Sequence, residues 1–199
     1  MVRTIHLVRH GHHALLAGIL CGRLPGVELD ALGRRQMSLC AERIFPRPAA
    51  IQSSPQLRAR QSAAILASHF RLPVEIVAAV DEIDVGDWTG RSFDELDKDP
   101  EWHRWNSRRK KSCPPNGEGM VALQQRVVRH LEELRHGPDD GSTILVVSHA
   151  EPIRAALLHY ADIALDDFLS IAVEPASVST LCLDHTGVDV RRINQRVFL

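Results

Sequence analysis

At 199 residues and 44% hydrophobic content, the chain is long enough to bury a full core, and its length predicts one domain over 1–199 with an elaborated insert. Its 24 Lys and Arg balance 25 Asp and Glu, which excludes a whole-protein field for nucleic acid or an anionic membrane, so any anion site must be local. Cys21, Cys40, Cys113 and Cys182 lack metal or redox spacing, and there is neither a signal-like start nor an apolar run of about 18 residues; a soluble, cytoplasmic protein is expected.

Val2 to Val8 is short, β-branched and apolar, and reads as a buried strand beginning at residue 2 or 3. Leu29 to Ile44 has apolar residues at helical spacing, broken by Pro46 and Pro48, and 49–52 forms the next strand. Ser54 as N-cap and Pro55 at the first helical position predict a helix through Phe70. Pro73 to Val80 reads as a strand, 84–119 as an insert over the sheet, and Met120 to Arg135 as a long amphipathic helix. Thr143 to Val147 is the most continuous apolar strand, and the tail predicts a hairpin of 178–183 and 188–193 about the turn at 185–187. The alternation predicts an α/β fold: a three-layer αβα sandwich with a mostly parallel central sheet, helices on both faces and a small insert over the active site.

In open α/β sheets, ligands bind outside the carboxyl ends of the strands. Here the first strand ends in Arg9-His10-Gly11, the strand at 143–147 in Ser148-His149, and the strand at 49–52 runs into a helix carrying Arg58. Two guanidiniums converging on two imidazoles repel one another unless a dianion joins them, and the arginine fork matches phosphate oxygens. This predicts a phosphoryl site in which an imidazole can serve as nucleophile. A carboxyl group among Asp81, Glu82, Asp84 and Asp87 could protonate the leaving oxygen; Glu82 is preferred for its reach and Asp84 is second.

These residues resemble the histidine phosphatase superfamily, the phosphoglycerate mutase-like proteins, over nearly the whole chain. The resemblance implies His10 as nucleophile, Arg9, Arg58 and His149 as ligands of the transferring group, and Glu82, with Gly86 and Gly90 four and eight residues on, as the acid. Pro115-Asn116-Gly117-Glu118 resembles the turn before the family's next helix. His12-His13-Ala14-Leu15-Leu16 stands where the family often has an acidic residue, a small hydroxyl residue and, further on, an asparagine, so the pocket wall is altered; Ala150 in place of a glycine and Gly119 in place of a serine remove no charged group from the chemistry.

The resulting expectation is a phosphomonoester hydrolase acting through a phosphohistidine on a small phosphorylated metabolite, with no cofactor and no metal. Alternatives are a phosphoglycerate mutase-type phosphotransferase and a non-catalytic phospholigand-binding module. Substrate-binding residues are expected to be Arg9, Gly11, Arg58, His149, Ala150, and His12 or His13; Gly11 would let the backbone approach the phosphate. Arg60 points about 200 degrees from Arg58 on a helix and is expected in solvent. Arg104, Arg108, Arg109, Lys110 and Lys111 read as the solvated face of an insert helix that Trp102 and Trp105 pin to the core. The leaving group stays open among sugar phosphates, phosphoglycerates, α-ribazole phosphate, nucleotides and phosphoprotein side chains. No nucleic-acid or membrane partner is expected, and an edge strand could pair in a homodimer.

Overall fold

The computed structural model describes residues 2–137 and 140–196. In chain order its elements are β1 (Arg3–Arg9), α1 (Ala31–Ala41), β2 (Ala50–Ser53), α2 (Leu57–Phe70), β3 (Val74–Ile76), α3 (Phe93–Leu96), α4 (Pro100–Ser107), α5 (Met120–Arg135), β4 (Thr143–Ser148), α6 (Ala150–Tyr160), β5 (Val178–Asp184) and β6 (Gly187–Gln195). Short 3₁₀ turns at 78–80, 86–88 and 165–170 complete the described elements.

The strands form a mixed six-stranded sheet in the order β3-β2-β4-β1-β5-β6. The run from β3 to β1 is parallel, and β5 and β6 add an antiparallel hairpin beside β1. This is the expected α/β architecture, and the alternation of side chains along the central strands explains its layers. On β4, Ile144 and Val146 enter one core with Ile5 and Leu7 of β1 and with α5 and α6. Leu145 and Val147 point the other way, into a core with Ile51, α1 and α2.

Two local expectations are corrected and one helix is added. The strand expected over 73–80 holds only Val74–Ile76, because Ala78–Val80 closes into a 3₁₀ turn that delivers Asp81 and Glu82 to the sheet edge. The helix expected from Pro55 starts at Leu57 with Gln56 as its cap. The Ser54 hydroxyl still accepts the Gln56 N–H at 3.2 Å, but its main partners are an imidazole and a carboxylate. Residues 150–160 form α6 directly after His149.

Register places the site. Arg9 lies opposite Ser148 and Ser53 opposite Val147, so three strands end at one level. The chain then continues as His10, His149 and Ser54, with the His10 N–H donating to Ser148 O at 3.0 Å and the Ser54 N–H to Val147 O at 2.9 Å. Parallel pairing therefore gathers these side chains before any of them makes a contact of its own.

Candidate active site

His10 is 2% exposed, and its Nδ1 lies 2.8 Å from Gly11 O. Because a carbonyl only accepts, Nδ1 carries the proton in the neutral ring, which leaves a lone pair on Nε2. The Arg58 Nε–H points at that lone pair from 3.3 Å. Burial, then the charges of Arg58 and Arg9, hold the His10 pKa well below the usual imidazole value, so the ring is neutral at neutral pH.

Arg58 is 2% exposed, anchored by Nη2 to Gly22 O at 2.7 Å, and its Nη1 has no protein partner. Arg9 donates Nη1 to Val173 O at 2.6 Å, and its Nε is likewise without a protein partner. Burial lowers the pKa of both guanidiniums, with Glu82 the largest offsetting charge. Two desolvated cations with unspent donors beside a neutral imidazole form a receptor for a tetrahedral dianion. Arg60 is exposed, as its position on α2 predicts.

His149 lies against His10, ring centroids 5.1 Å apart, with Nε2 2.7 Å from Ser54 Oγ. Ser54 Oγ donates to Asp81 Oδ1 at 3.0 Å, and Asp81 also accepts the Gln56 side-chain amide and the Glu82 N–H. Since the single hydroxyl proton goes to the carboxylate, His149 Nε2–H donates to Ser54. His149 Nδ1 is left buried with no hydrogen-bond partner, 3.8 Å from Glu82 Oε2.

Glu82 lines the reaction cavity with a side chain 12% exposed. Its Oε1 accepts the Ile83 N–H at 2.9 Å, and burial raises its pKa to about 7 against the pull of Arg58. Asp84 instead accepts the Gly86 N–H at 2.9 Å, and its side chain is 44% exposed. Asp87 accepts from Asn116, and Asp81 is spent on Ser54 and Gln56. Of the four carboxyl groups weighed, Glu82 is the one in the cavity wall.

The glycines fix this loop. Gly86 has φ +53, and a Cβ there would sit 2.0 Å from Pro115 O, so the two turns touch backbone to backbone. The Asp87 N–H donates to Pro115 O and the Glu118 N–H to Asp84 O, while Glu118 pairs with Arg126 at 2.6 Å and Arg23 at 3.1 Å. The segment 115–118 thus clamps the Glu82 loop.

Other candidates are placed differently. Gly11 packs against Gly33, whose carbonyl oxygen would be 2.5 Å from an added Cβ, and its N–H donates to Ser62 Oγ at 3.1 Å. Its missing side chain lets the chain pack against α1. His12 turns away onto Asp30, Nδ1 to Oδ2 at 2.6 Å, while the same carboxylate caps α1 at the Gly33 N–H. His13 lines the cavity, 3% exposed, with its ring centroid 5.4 Å from that of His10; burial followed by Arg58 and Arg9 lowers its pKa to about 4. Ala150 also lines the cavity, at the start of α6.

Arg109 departs most from expectation. Arg104, Arg108, Lys110 and Lys111 are exposed, but Arg109 is 3% exposed. Its guanidinium lies between the Trp105 and Phe168 rings, 3.1 and 3.7 Å from their centroids, with Glu151 at 3.7 Å.

The sequence matches the histidine phosphatase superfamily (branch 1) over residues 5–196, and the chain belongs to that family. It is 30% identical to phosphoserine phosphatase 1 of Hydrogenobacter thermophilus, over 98% of this chain and 92% of that one. It is 32% identical to a bifunctional protein of Mycobacterium tuberculosis across 97% of this chain, and it spans only 54% of that relative's length. The solved structure of Bacillus stearothermophilus YhfR superposes with a TM-score of 0.88 at 26% identity, covering 98% of each chain. No helix among the described residues is long and apolar enough to cross a membrane.

Proposed function

We propose that the protein is a phosphomonoester hydrolase that works through a phosphohistidine on His10, with no requirement for a metal ion. The observation that carries this reading is the His10 ring itself: Nδ1 is tied to Gly11 O, and Nε2 faces Arg58 in a nearly dry site. Arg9, Arg58 and a protonated His149 hold the non-bridging oxygens as charge redistributes. His10 Nε2 attacks phosphorus, the bond from phosphorus to the ester oxygen breaks, and that oxygen takes its electron pair and the proton from Glu82. A water then attacks phosphorus and gives its proton to the Glu82 carboxylate. The N–P bond breaks, its electron pair returns to Nε2, and inorganic phosphate leaves.

Membership of a family whose named relatives include a phosphatase supports hydrolysis over transfer. Placement of Glu82 in the cavity wall, with a raised pKa, supports its role as acid over Asp84. The test is phosphate release from phosphoserine, sugar phosphates, phosphoglycerates and α-ribazole phosphate in excess chelator, wild type beside His10→Ala. Turnover in chelator that the variant lacks supports the reading. Absence of turnover across the panel, with phosphate still bound, would favour a phospholigand-binding module.

A further inference from the structure

We infer that the cavity leading away from His10 is a subsite for a hydrophobic, ring-bearing leaving group, so that the substrate is the phosphate monoester of such an alcohol; this rests on the hydrolase reading. The cavity has a volume of about 410 Å³, a size that accommodates far more than a phosphoryl group. Beyond the reacting end its wall is apolar: Leu16 and Leu20 from the segment after β1, Phe93, Trp102 and Trp105 from α3 and α4, and Phe168 from the turn at 165–170. The rings brace one another, with Trp102 5.3 Å from Trp105 and 6.3 Å from Phe93 between centroids. Such a wall favours burial and stacking of a ring.

The apolar side of the wall argues against a polyhydroxy leaving group, and the charged side chains beside it are held in part by the protein. Arg109 stacks on the Trp105 and Phe168 faces and donates Nη2 to Asn106 Oδ1 at 2.9 Å, while its buried Nε has no hydrogen-bond partner. Arg154 donates to Ile171 O and to Glu151, both at 2.9 Å. The exposed cations of the insert, Arg104, Arg108, Lys110 and Lys111, do not line the cavity. A polyhydroxy chain packed on the Leu16, Leu20, Phe93 and Trp102 side would leave hydroxyls unpaired against carbon.

The test compares 3-phenylpropyl phosphate with glycerol 3-phosphate, two alkyl esters whose leaving oxygens are of similar basicity. The expected result is a kcat/KM at least about tenfold higher for the phenylpropyl ester, carried mainly by KM, with that preference collapsing in Trp102→Ala and in Leu16→Glu. The ratio within each variant is insensitive to a partly unfolded fraction. Equal rates, or a preference for the glycerol ester, would overturn the inference while leaving the hydrolase reading intact. Tryptophan fluorescence titration of His10→Ala with both esters reads the same preference as affinity. If neither ester turns over, the hydrolase reading is decided by the wider panel of phosphate esters, and this titration still decides the subsite.

Discussion

His149 meets a different environment at each ring nitrogen, and the difference sets how it can act. Nε2–H is held by the chain to Ser54 and Asp81, so in the neutral ring Nδ1 has a bare lone pair and must gain a proton before it can donate to a phosphoryl oxygen. Burial and the charges of Arg58, His10, Arg9 and Arg126 hold that proton off, and an arriving dianion reverses the balance. Ser54→Ala is expected to lower kcat/KM about 10- to 100-fold by stripping Nε2 of its buried partner, whereas Ser54→Thr, which keeps the hydroxyl, stays near wild type. The ¹⁵N shifts of the His149 ring, measured beside the rates, report whether its tautomer moves with them. Glu82 sets a second expectation: an acid with its pKa raised to about 7 is protonated below that pH, so kcat for an alkyl phosphate declines as pH rises past about 7. A pH profile of Glu82→Gln checks this, since that limb should vanish with the carboxyl. Charged residues were legible in the sequence wherever a strand end aimed them, as for Arg9, His10 and His149. The Ser54 and Asp81 relay was not, because it joins residues 27 apart whose local signals read as a helix cap and a turn carboxylate.

At the scale of elements, the acid is held by two turns pressed together rather than by a helix or strand. Gly86 combines φ +53 with a 2.0 Å approach to Pro115 O, so Gly86→Ala adds both backbone strain and a clash that must push the turns apart. A loss of about 3 kcal/mol in stability is expected, read as a fall in Tm, together with a kcat loss larger than that of a stability-matched core variant, because Glu82 moves with the turn. The glycine offsets were visible in the sequence, but their backbone partner 29 residues away was not. Pattern reading also extended one strand too far and missed one helix. The apolar run of 73–80 resembles a strand, yet only Val74–Ile76 pairs with β2. In α6, Pro152 to Leu158 is buried nearly throughout, which hides the helical period behind continuous hydrophobicity.

For the molecule as a whole, the same burial that builds the site makes stability depend on pH. Burial lowers His6 and His13 to about 4 and holds His10 and His149 well below 6.5, so between pH 6.5 and 4 the unfolded chain binds more protons than the native one. Stability from these groups is present above pH 6.5 and is lost as pH falls. Glu82, with its pKa raised, works in the opposite direction between about 7 and its ordinary 4.5, but it is one group against four. Tm is therefore expected to be lower at pH 5 than at pH 7, by an amount corresponding to a few kcal/mol. Added inorganic phosphate should raise Tm by binding the folded site, and less so in His10→Ala if Arg58 loses its register. The layered α/β sheet was legible because strand and helix signals alternate cleanly, and the insert because its composition breaks that alternation. What the insert does was not: Arg109 reads as a solvated charge until Phe168, 59 residues away, covers its other face.

The central claim is that His10 Nε2 bonds to phosphorus during turnover. The measurement that tests it most directly is rapid mixing of wild-type protein with a turning-over ester, an alkaline quench to preserve phosphohistidine, and mass spectrometry of the peptide carrying residue 10. The account predicts an acid-labile phosphoryl adduct on His10 that forms and decays at rates no slower than kcat. Turnover at full rate with no adduct on His10, or with the adduct on another residue, would contradict it.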